Sequence, residues 1–348
     1  MQHPLIGGSD NTFQQRPIIA PGCRWRQVVE SAPHAIFFER ATVESVRPEI
    51  EQVVRLIQRK DQKSLDEALT LLQSTVFSFS MKVCGQRQDA EDTMQEVLLK
   101  SVPNLAKFNS PKALMVWLYK VAKTRCLMSR RRSKFAPREA LSLEELMPDR
   151  QELEKLSGNT DATPETSLLR RESAKRLREA VQKLPPDYRL ILVLHDMEDL
   201  RDEDIAEITG LRLGTIRVRL HRARLYLRKE LAKQNNHSVH RQMAKSAVQI
   251  SERPRPARCK EMFAELSNYL DDQLDDSLCE ELEKHMDGCE PCRAFLASLQ
   301  QAIQQCRTAS NEAPDSQASA KLRRELLSNY QELMARITRR RANEASRV

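Results

Sequence analysis

Three potential metal ligands lie close together near residue 290, in the stretch His285-Met-Asp-Gly-Cys289-Glu-Pro-Cys292. The Cys-x2-Cys spacing places two sulfur atoms on one tight turn, and His285 precedes that turn by about one turn of helix. Thiolate and imidazole ligands that converge in this way suit tetrahedral zinc. The spacing therefore predicts a zinc site at the junction of a helix and the turn that follows it.

A closed structural zinc site needs a fourth ligand, and Cys259 is the best candidate. Cys279 lies six residues before His285 on the same predicted helix, so it points about 120° away and should belong to the core. Cys306 follows Cys292 by 14 residues, roughly 21 Å along a helix, which is too far. Buried thiols without metal are the alternative. We predict one zinc ion, structural or redox-sensing, bound by Cys259, His285, Cys289 and Cys292.

A second segment with recognisable chemistry, residues 201–229, reads RDEDIAEITGLRLGTIRVRLHRARLYLRK. Its first half is acidic and amphipathic, Gly210 interrupts the pattern, and the second half is basic. Ile216 and Leu220 keep helical spacing, so they can hold the second helix on a core while its arginines face outward. Two short helices, a glycine turn and a basic second helix predict a DNA-binding helix-turn-helix. A solvated basic helix in an unrelated bundle is the alternative.

The composition of the chain predicts the fold class in which these residues are positioned. The 348 residues are 30% charged and 5% aromatic, with 8 glycines, and strand-type alternation is rare. We therefore expect an all-α chain of two or three small domains. The net charge of +8 is compatible with a polyanionic partner.

The sequence predicts no contact with a membrane. No apolar run reaches the roughly 20 residues of a membrane helix, and the N-terminus lacks the apolar core of a signal peptide. We therefore expect a cytoplasmic protein. In that compartment the 8 cysteines should be thiols, metal ligands or redox sensors rather than a disulfide framework.

Helical periodicity and proline-rich gaps divide the chain into units. The segments with sustained periodicity are the first helical unit (49–132), the second helical unit (167–233), the cysteine-rich unit (258–306) and a last amphipathic helix (318–341). The segments without it are an N-terminal extension (1–48), which we leave without a role, and two linkers (133–166 and 234–257). The cysteine-rich unit has too small a core to be secure alone, so zinc is a plausible staple.

The first helical unit combines an acidic helix with a basic, aromatic one. Residues 89–100 read DAEDTMQEVLLK, and residues 105–132 read LAKFNSPKALMVWLYKVAKTRCLMSRRR. Basic residues interleaved with aromatic rings suit single-stranded or partly melted nucleic acid, because rings stack on bases while cations hold the backbone. Trp117 and Tyr119 could equally be core residues.

Taken together, these motifs resemble the bacterial sigma factors of the small extracytoplasmic-function (ECF) type. DAEDTMQEV stands where the family has an acidic D-x-E-D-x-x-Q-E signature in region 2. The second helical unit follows the family's region 4 pattern, from Leu-Pro through E-I-A and G-T-I to R-L-H-R-A-R. The cysteine-rich unit resembles a zinc-binding anti-sigma domain, which usually sits on a separate protein.

The resemblance implies contacts with core RNA polymerase and with promoter DNA. Residues that would dock on the clamp helices of the largest polymerase subunit are Asp89, Glu91, Asp92, Gln95 and Glu96. The polymerase flap region is the second implied contact. Residues that would meet the −10 element are Lys123, Arg125, Arg131 and Arg132, with Trp117 helping to open the duplex. Residues that would meet the −35 element are Arg212, Thr215, Arg217, Arg219 and Arg222.

The function implied is that of a sigma factor, not an enzyme, that directs promoter-specific initiation and is autoregulated in cis. The cysteine-rich unit would pack between the two helical units and mask their polymerase-binding faces. The last helix would bind across those units or pack on its own domain. Because the units are tethered, a weak interface would suffice.

Two other hypotheses remain. The first is a non-sigma helix-turn-helix regulator with a structural zinc domain, which would have no use for the acidic residues 89–96. The second is a zinc enzyme acting on nucleic acid, which is weaker because no plausible general base accompanies the cysteine and histidine ligands.

Overall fold

In a computed structural model the described residues are 47–59, 61–129, 140–148, 167–239, 257–271, 273–309 and 311–345. They form helices joined by turns and loops, without a β-strand, so the all-α prediction is confirmed. None of the helices in these ranges is both long and apolar enough to cross a bilayer. The N-terminal extension up to residue 46 and most of both linkers lie outside the described residues.

The first helical unit is a bundle built around one long, buried helix. Its helices are α1 (Pro48–Gln58), α2 (Gln62–Cys84), α3 (Arg87–Ser101) and α4 (Pro111–Ser129), with a 3₁₀ turn (Val102–Lys107) between the last two. The central helix α2 packs against the other three. It begins at Asp61, whose carboxylate accepts the Ser64 N–H at 2.8 Å, a standard N-cap. It ends at Gly85, whose φ of 76° is a left-handed conformation that glycine adopts without strain.

A disulfide joins Cys84, at the end of α2, to Cys126 in α4. Both residues are buried, and their Cα atoms lie 5.5 Å apart, within the usual range for a disulfide. The prediction that the cysteines are not disulfides is therefore wrong for this pair. The two positions are separated by 42 residues, so only the packing of α2 against α4 brings the sulfur atoms together.

The second helical unit contains the predicted helix-turn-helix. A short helix, α5 (Leu143–Leu146), lies within the first linker. The unit itself comprises α6 (Ser167–Lys183), α7 (Pro186–Leu192), a π-helical turn (Val193–Met197), α8 (Asp202–Thr209) and α9 (Leu213–Val239). Gly210 ends α8 with φ 75°. Ile216 and Leu220 are buried against the core, so α9 is held as the periodicity predicts.

The cysteine-rich unit consists of three helices, α10 (Ala257–Leu270), α11 (Asp276–Gly288) and α12 (Glu290–Arg307). Its core includes Phe263 and Phe295, whose ring centroids lie 4.6 Å apart. Asp275 caps α11 by accepting the Ser277 and Leu278 N–H groups at 3.1 and 3.0 Å. The last helix, α13 (Ser316–Ala345), packs on α2, α3 and the 3₁₀ turn of the first helical unit.

Two hydrophobic cores hold these units in one closed arrangement. The larger core combines the two helical units and takes in Leu322 and Leu326 of α13. The smaller core belongs to the cysteine-rich unit and takes in Leu225 of α9. The expectation that the cysteine-rich unit lies between the helical units is therefore wrong. Helix α8 packs directly on α4, while the cysteine-rich unit packs chiefly on α9.

Candidate functional site

Three predicted metal ligands meet at the junction of α11 and α12. The Cys292 Sγ lies 3.2 Å from the His285 Nε2 and 3.2 Å from the Cys289 Sγ. All three ligand atoms lie within 4.8 Å of one another. This clustering suits one tetrahedral ion, because zinc binds sulfur at about 2.3 Å and nitrogen at about 2.0 Å. The turn after α11 therefore forms a plausible metal site.

The cysteine-rich unit contains three other cysteines, Cys259, Cys279 and Cys306. Cys259 lies in the first turn of α10, but its side chain is outside the described residues. Cys279 is buried, does not join the cluster and is disulfide-bonded, so it too departs from the expected thiols. Cys306 is buried in the larger core at the far end of α12, and burial raises the pKa of its thiol far above the ordinary value. Both Cys279 and Cys306 were predicted to lie away from the metal.

The acidic residues predicted to bind polymerase lie on α3. Asp92 and Gln95 are exposed, and Asp89 is half-buried. Hydrogen bonding from Lys100 lowers the pKa of Glu96. The ion pairs of this surface stay within the first helical unit: Glu91 with Arg87 at 2.9 Å, and Glu96 with Lys100 at 2.7 Å and with Arg125 at 2.9 Å. Asp92 and Gln95 are therefore accessible in the closed arrangement.

The residues predicted to meet the −10 element have partners inside the chain. Arg125 pairs with Glu96, and the Lys123 Nζ donates to the Ile208 carbonyl of α8 at 2.7 Å. Trp117 is partly buried against Phe108, with ring centroids 5.6 Å apart. Two further predicted residues, Arg131 and Arg132, lie outside the described residues.

The residues predicted to meet the −35 element lie at the start of α9 or just before it. Arg212 is exposed and Thr215 is half-buried. The other three arginines are partly exposed and engaged within the chain: Arg217 with Asp202 at 3.3 Å, Arg219 with Asp187 at 3.5 Å, and Arg222 with the Leu141 carbonyl at 3.1 Å. The first turn of α9 is thus the most accessible part of the recognition helix.

The cysteine-rich unit covers the next turns of α9, which the sequence did not reveal. The His221 Nδ1 lies 2.9 Å from the Ser267 hydroxyl, and the Arg228 guanidinium stacks 4.3 Å above the Phe295 ring. Burial lowers the pKa of His221 to about 4, so its imidazole is neutral near pH 7. The sequence predicted no role for His221 and Arg228, and in the structure both contact protein.

Arg224 is the centre of this contact and is fully buried. Its guanidinium donates to Asp196 of the π-helical turn at 2.6 and 2.9 Å, and to Asp271 at the end of α10 at 2.7 and 2.9 Å. Burial raises the pKa of each carboxyl, but the Arg224 charge outweighs burial, so both pKa values lie below the ordinary value. One arginine therefore ties the recognition helix to the cysteine-rich unit.

A second buried carboxylate, Glu198, joins the two helical units. Its side chain is fully buried and accepts the Tyr119 hydroxyl at 2.6 Å. It also pairs with Lys82 at 2.8 Å and with Arg47 at 3.1 Å. Burial raises the pKa of Tyr119 well above its ordinary value, which keeps the hydroxyl as a donor. Of the two readings of Tyr119, the core residue is therefore correct.

Three protein families match this chain. The sigma-70 region 2 family matches residues 69–135, the sigma-70 region 4 family matches residues 174–227, and a zinc-finger family matches residues 259–293. Each match coincides with one of the three units.

Curated bacterial proteins are similar along about half of this chain. The ECF RNA polymerase sigma factor SigW of Bacillus subtilis is 25% identical over 182 residues, 52% of this chain and 96% of that protein. The RNA polymerase sigma-H factor of Pseudomonas aeruginosa is 29% identical over 187 residues, 52% of this chain and 93% of that protein. The RNA polymerase sigma factor SigV of Bacillus subtilis is 30% identical over 151 residues, 43% of this chain and 80% of that protein.

Proposed function

This chain belongs to the ECF sigma factors of the sigma-70 family, and we propose that it restrains its own promoter binding with its cysteine-rich unit. As a member of that family it directs promoter-specific transcription initiation. The first helical unit carries region 2 and the second helical unit carries region 4. The observation that supports restraint is the burial of the middle of α9 by a unit of the same chain.

The covered surface directly follows the residues of α9 that are proposed to meet DNA. A recognition helix reads base edges only when its outward side chains can reach the major groove. In the closed arrangement His221, Leu225 and Arg228 of α9 contact the cysteine-rich unit instead. The unit is tethered to α9, so it competes with DNA at a high effective concentration. We propose that the unit must move away before the −35 element binds, because it lies against the turns of α9 that follow the proposed contact residues.

Polymerase binding does not require the same movement. We propose that Asp89, Glu91, Asp92, Gln95 and Glu96 dock on the polymerase clamp helices, which is supported by the exposure of Asp92 and Gln95. Arg212 and Thr215 would be the first residues of the second helical unit to reach the −35 element. The remaining proposed DNA contacts become available once their intramolecular partners separate: Lys123, Arg125, Arg217, Arg219 and Arg222.

We further propose that the cluster at the end of α11 holds one structural zinc ion. His285, Cys289 and Cys292 would supply three ligands, and Cys259 is the proposed fourth. The ion would join the end of α11 to the start of α12. This connection keeps Phe295 positioned against Arg228 of α9, so metal binding would stabilise the restraining contact.

Replacing Cys292 with serine is expected to abolish stoichiometric zinc binding, because a serine hydroxyl is a far poorer zinc ligand than a thiolate. We expect one zinc per wild-type chain, measured by elemental analysis after dialysis against a mild chelator. Cys306→Ala is the matched control, since Cys306 is buried away from the cluster. Full zinc content in Cys292→Ser would exclude this site.

The proposal is tested by single-round transcription with core polymerase on a promoter selected by the chain that ends at Lys233. That shortened chain is expected to initiate roughly 5- to 100-fold more than the full chain, the usual range of coupling between sites. Equal initiation would leave a sigma factor without cis restraint. No initiation by either chain would favour a non-sigma DNA-binding regulator.

A point variant of the full chain gives an independent comparison. Ser267→Arg places a bulky cation against the buried His221, so it should separate the cysteine-rich unit from α9 without removing it. Ser277→Arg is the control, because Ser277 is exposed at the start of α11. Initiation should rise for the first variant alone.

A further inference from the structure

Helix α8 of the second helical unit lies on a row of lysines in α4 of the first helical unit. Three contacts join the two helices: Lys112 Nζ to Asp204 Oδ1 at 2.7 Å, Lys120 Nζ to Glu207 Oε1 at 3.5 Å, and Lys123 Nζ to the Ile208 carbonyl at 2.7 Å. These contacts lie apart from the α9 surface that the cysteine-rich unit covers. They therefore block a different part of the chain.

The lysines and their partners form two matching rows. Positions 112, 120 and 123 recur at intervals of about two turns and one turn, so their side chains share one face of α4. Asp204 and Glu207 are three residues apart and share a face of α8 in the same way. The third partner, the Ile208 carbonyl, lies in the last turn of α8, where the helix dipole is negative. Helix α8 thus presents a line of negative groups to a line of ammonium groups.

The lysine row has the dimensions of a nucleic-acid backbone site. Eleven residues of helix span about 16 Å, a length over which one strand of duplex DNA carries about five phosphates. Lysine ammonium groups accept phosphate or carboxylate oxygens alike, because they act as compact point charges. The negative line on α8 therefore occupies the face that a nucleic-acid backbone would need.

We propose that α8 is an intramolecular DNA mimic that competes with the promoter strand for α4. The inference rests on the proposed function and names a second restraint within it. Helix α8 covers the basic face of α4, while Asp92 and Gln95 on α3 stay exposed. The closed chain can therefore dock on polymerase before its DNA-binding faces open, and competition occurs at the promoter-binding step.

The polar part of this contact is weak, and the apolar part is the packing of Ile205 and Ile208 of α8 in the larger core. Lys120 and Glu207 are 44% and 55% exposed, with their charged atoms 3.5 Å apart, and ion pairs of this kind contribute about 1 kcal/mol or less. Lys123 is more enclosed, and burial lowers the pKa of its ammonium group. Asp204 is buried, but the lysines of both ion pairs are 40% and 44% exposed, so a polyanion with many charges can compete for them.

The test compares Glu207→Lys with Glu203→Lys in the full chain. Both positions are exposed on α8 and both changes alter the charge equally, but within the described part of the chain Glu203 has no ion pair or hydrogen bond through its side chain. The probe is a fluorescein-labelled DNA single strand of about 20 nucleotides, longer than a typical single-strand site. We expect Glu207→Lys to bind it roughly 5- to 10-fold more tightly than Glu203→Lys, since an attractive pair becomes repulsive. Equal affinities of the two variants would overturn the proposal.

The test also includes a second variant, Asp204→Asn, and a second ligand, core polymerase. Asp204→Asn removes the carboxylate beside Lys112 without adding a cation, and it should also tighten binding of the strand relative to wild type. Affinity for core polymerase should be the same for every variant, because α3 is unchanged. A loss of polymerase binding in all of them would contradict the proposed function, while the strand comparison would still decide whether α8 shields α4.

Discussion

Replacing Arg224 with methionine is expected to lower the free energy of unfolding of the full chain by about 3–5 kcal/mol. The fully buried guanidinium donates four hydrogen bonds to Asp196 and Asp271. Methionine fills a similar volume but leaves both carboxylates buried without that cation, and an uncompensated buried charge is costly. Chemical denaturation at neutral pH, followed by circular dichroism, measures the difference.

Arg217→Met on the same helix is the matched control. Arg217 is 41% exposed and pairs with Asp202 at 3.3 Å, and exposed pairs contribute about 1 kcal/mol or less. A similar loss of stability in both variants would contradict a special role for Arg224.

The Arg224 contact also determines how the stability of the folded chain should change with pH. The pKa values of Asp196 and Asp271 are lowered in the folded chain, so both carboxylates bind protons more readily after unfolding. Their contribution is present above the ordinary aspartate pKa of about 3.9 and is lost as the pH falls through the folded-state pKa values. Stability of the wild-type chain should therefore decrease on acidification below about pH 4. In Arg224→Met this decrease should be smaller, because protonation then relieves buried charge.

Replacing Glu198 with alanine is expected to separate the two helical units. Glu198 accepts from Tyr119 and pairs with Lys82 and Arg47 inside the shared core. Alanine would leave two cations close together without their counter-charge, at a cost of about 3–5 kcal/mol. Small-angle scattering should show a larger radius of gyration, and binding of a labelled DNA single strand should increase because α8 would no longer cover α4.

Two comparisons make the Glu198 result specific. Glu203→Ala, at an exposed position of α8, should leave the radius of gyration unchanged. Glu198→Gln retains an acceptor for the Tyr119 hydroxyl but loses the charge, so its effect should fall between wild type and alanine. An unchanged radius for Glu198→Ala would show that the hydrophobic core alone keeps the units together.

The proposed restraints act at two different places and with different strength. The Arg224 contact is buried and joins α9 to the cysteine-rich unit, whereas the lysine contacts are partly solvated and join α4 to α8. A change in the cysteine-rich unit would release α9 first, and promoter DNA could then displace α8. Both steps would leave the proposed polymerase-binding residues of α3 unchanged, since their ion pairs lie within the first helical unit.

The sequence by itself determined the features that depend on spacing along one or two helices. The all-α class, the helix-turn-helix with its turn at Gly210, and the cluster of His285, Cys289 and Cys292 all arise from neighbouring residues. Each residue of a helix is rotated by a fixed angle from the one before it. Spacing within about ten residues therefore already determines which side chains point the same way.

Only the tertiary structure decided which distant groups meet. Arg224 and Asp271 are 47 residues apart, Cys84 and Cys126 are 42 apart, and Lys112 meets Asp204 from another unit. The sequence predicts DNA contacts for Arg212, Arg217, Arg219 and Arg222, but only the fold shows that Arg224 is buried and that Arg212 is exposed. Charge and composition do not determine which residue a charged side chain contacts. That contact depends on how the amphipathic helices pack when the apolar faces of all the units are buried together.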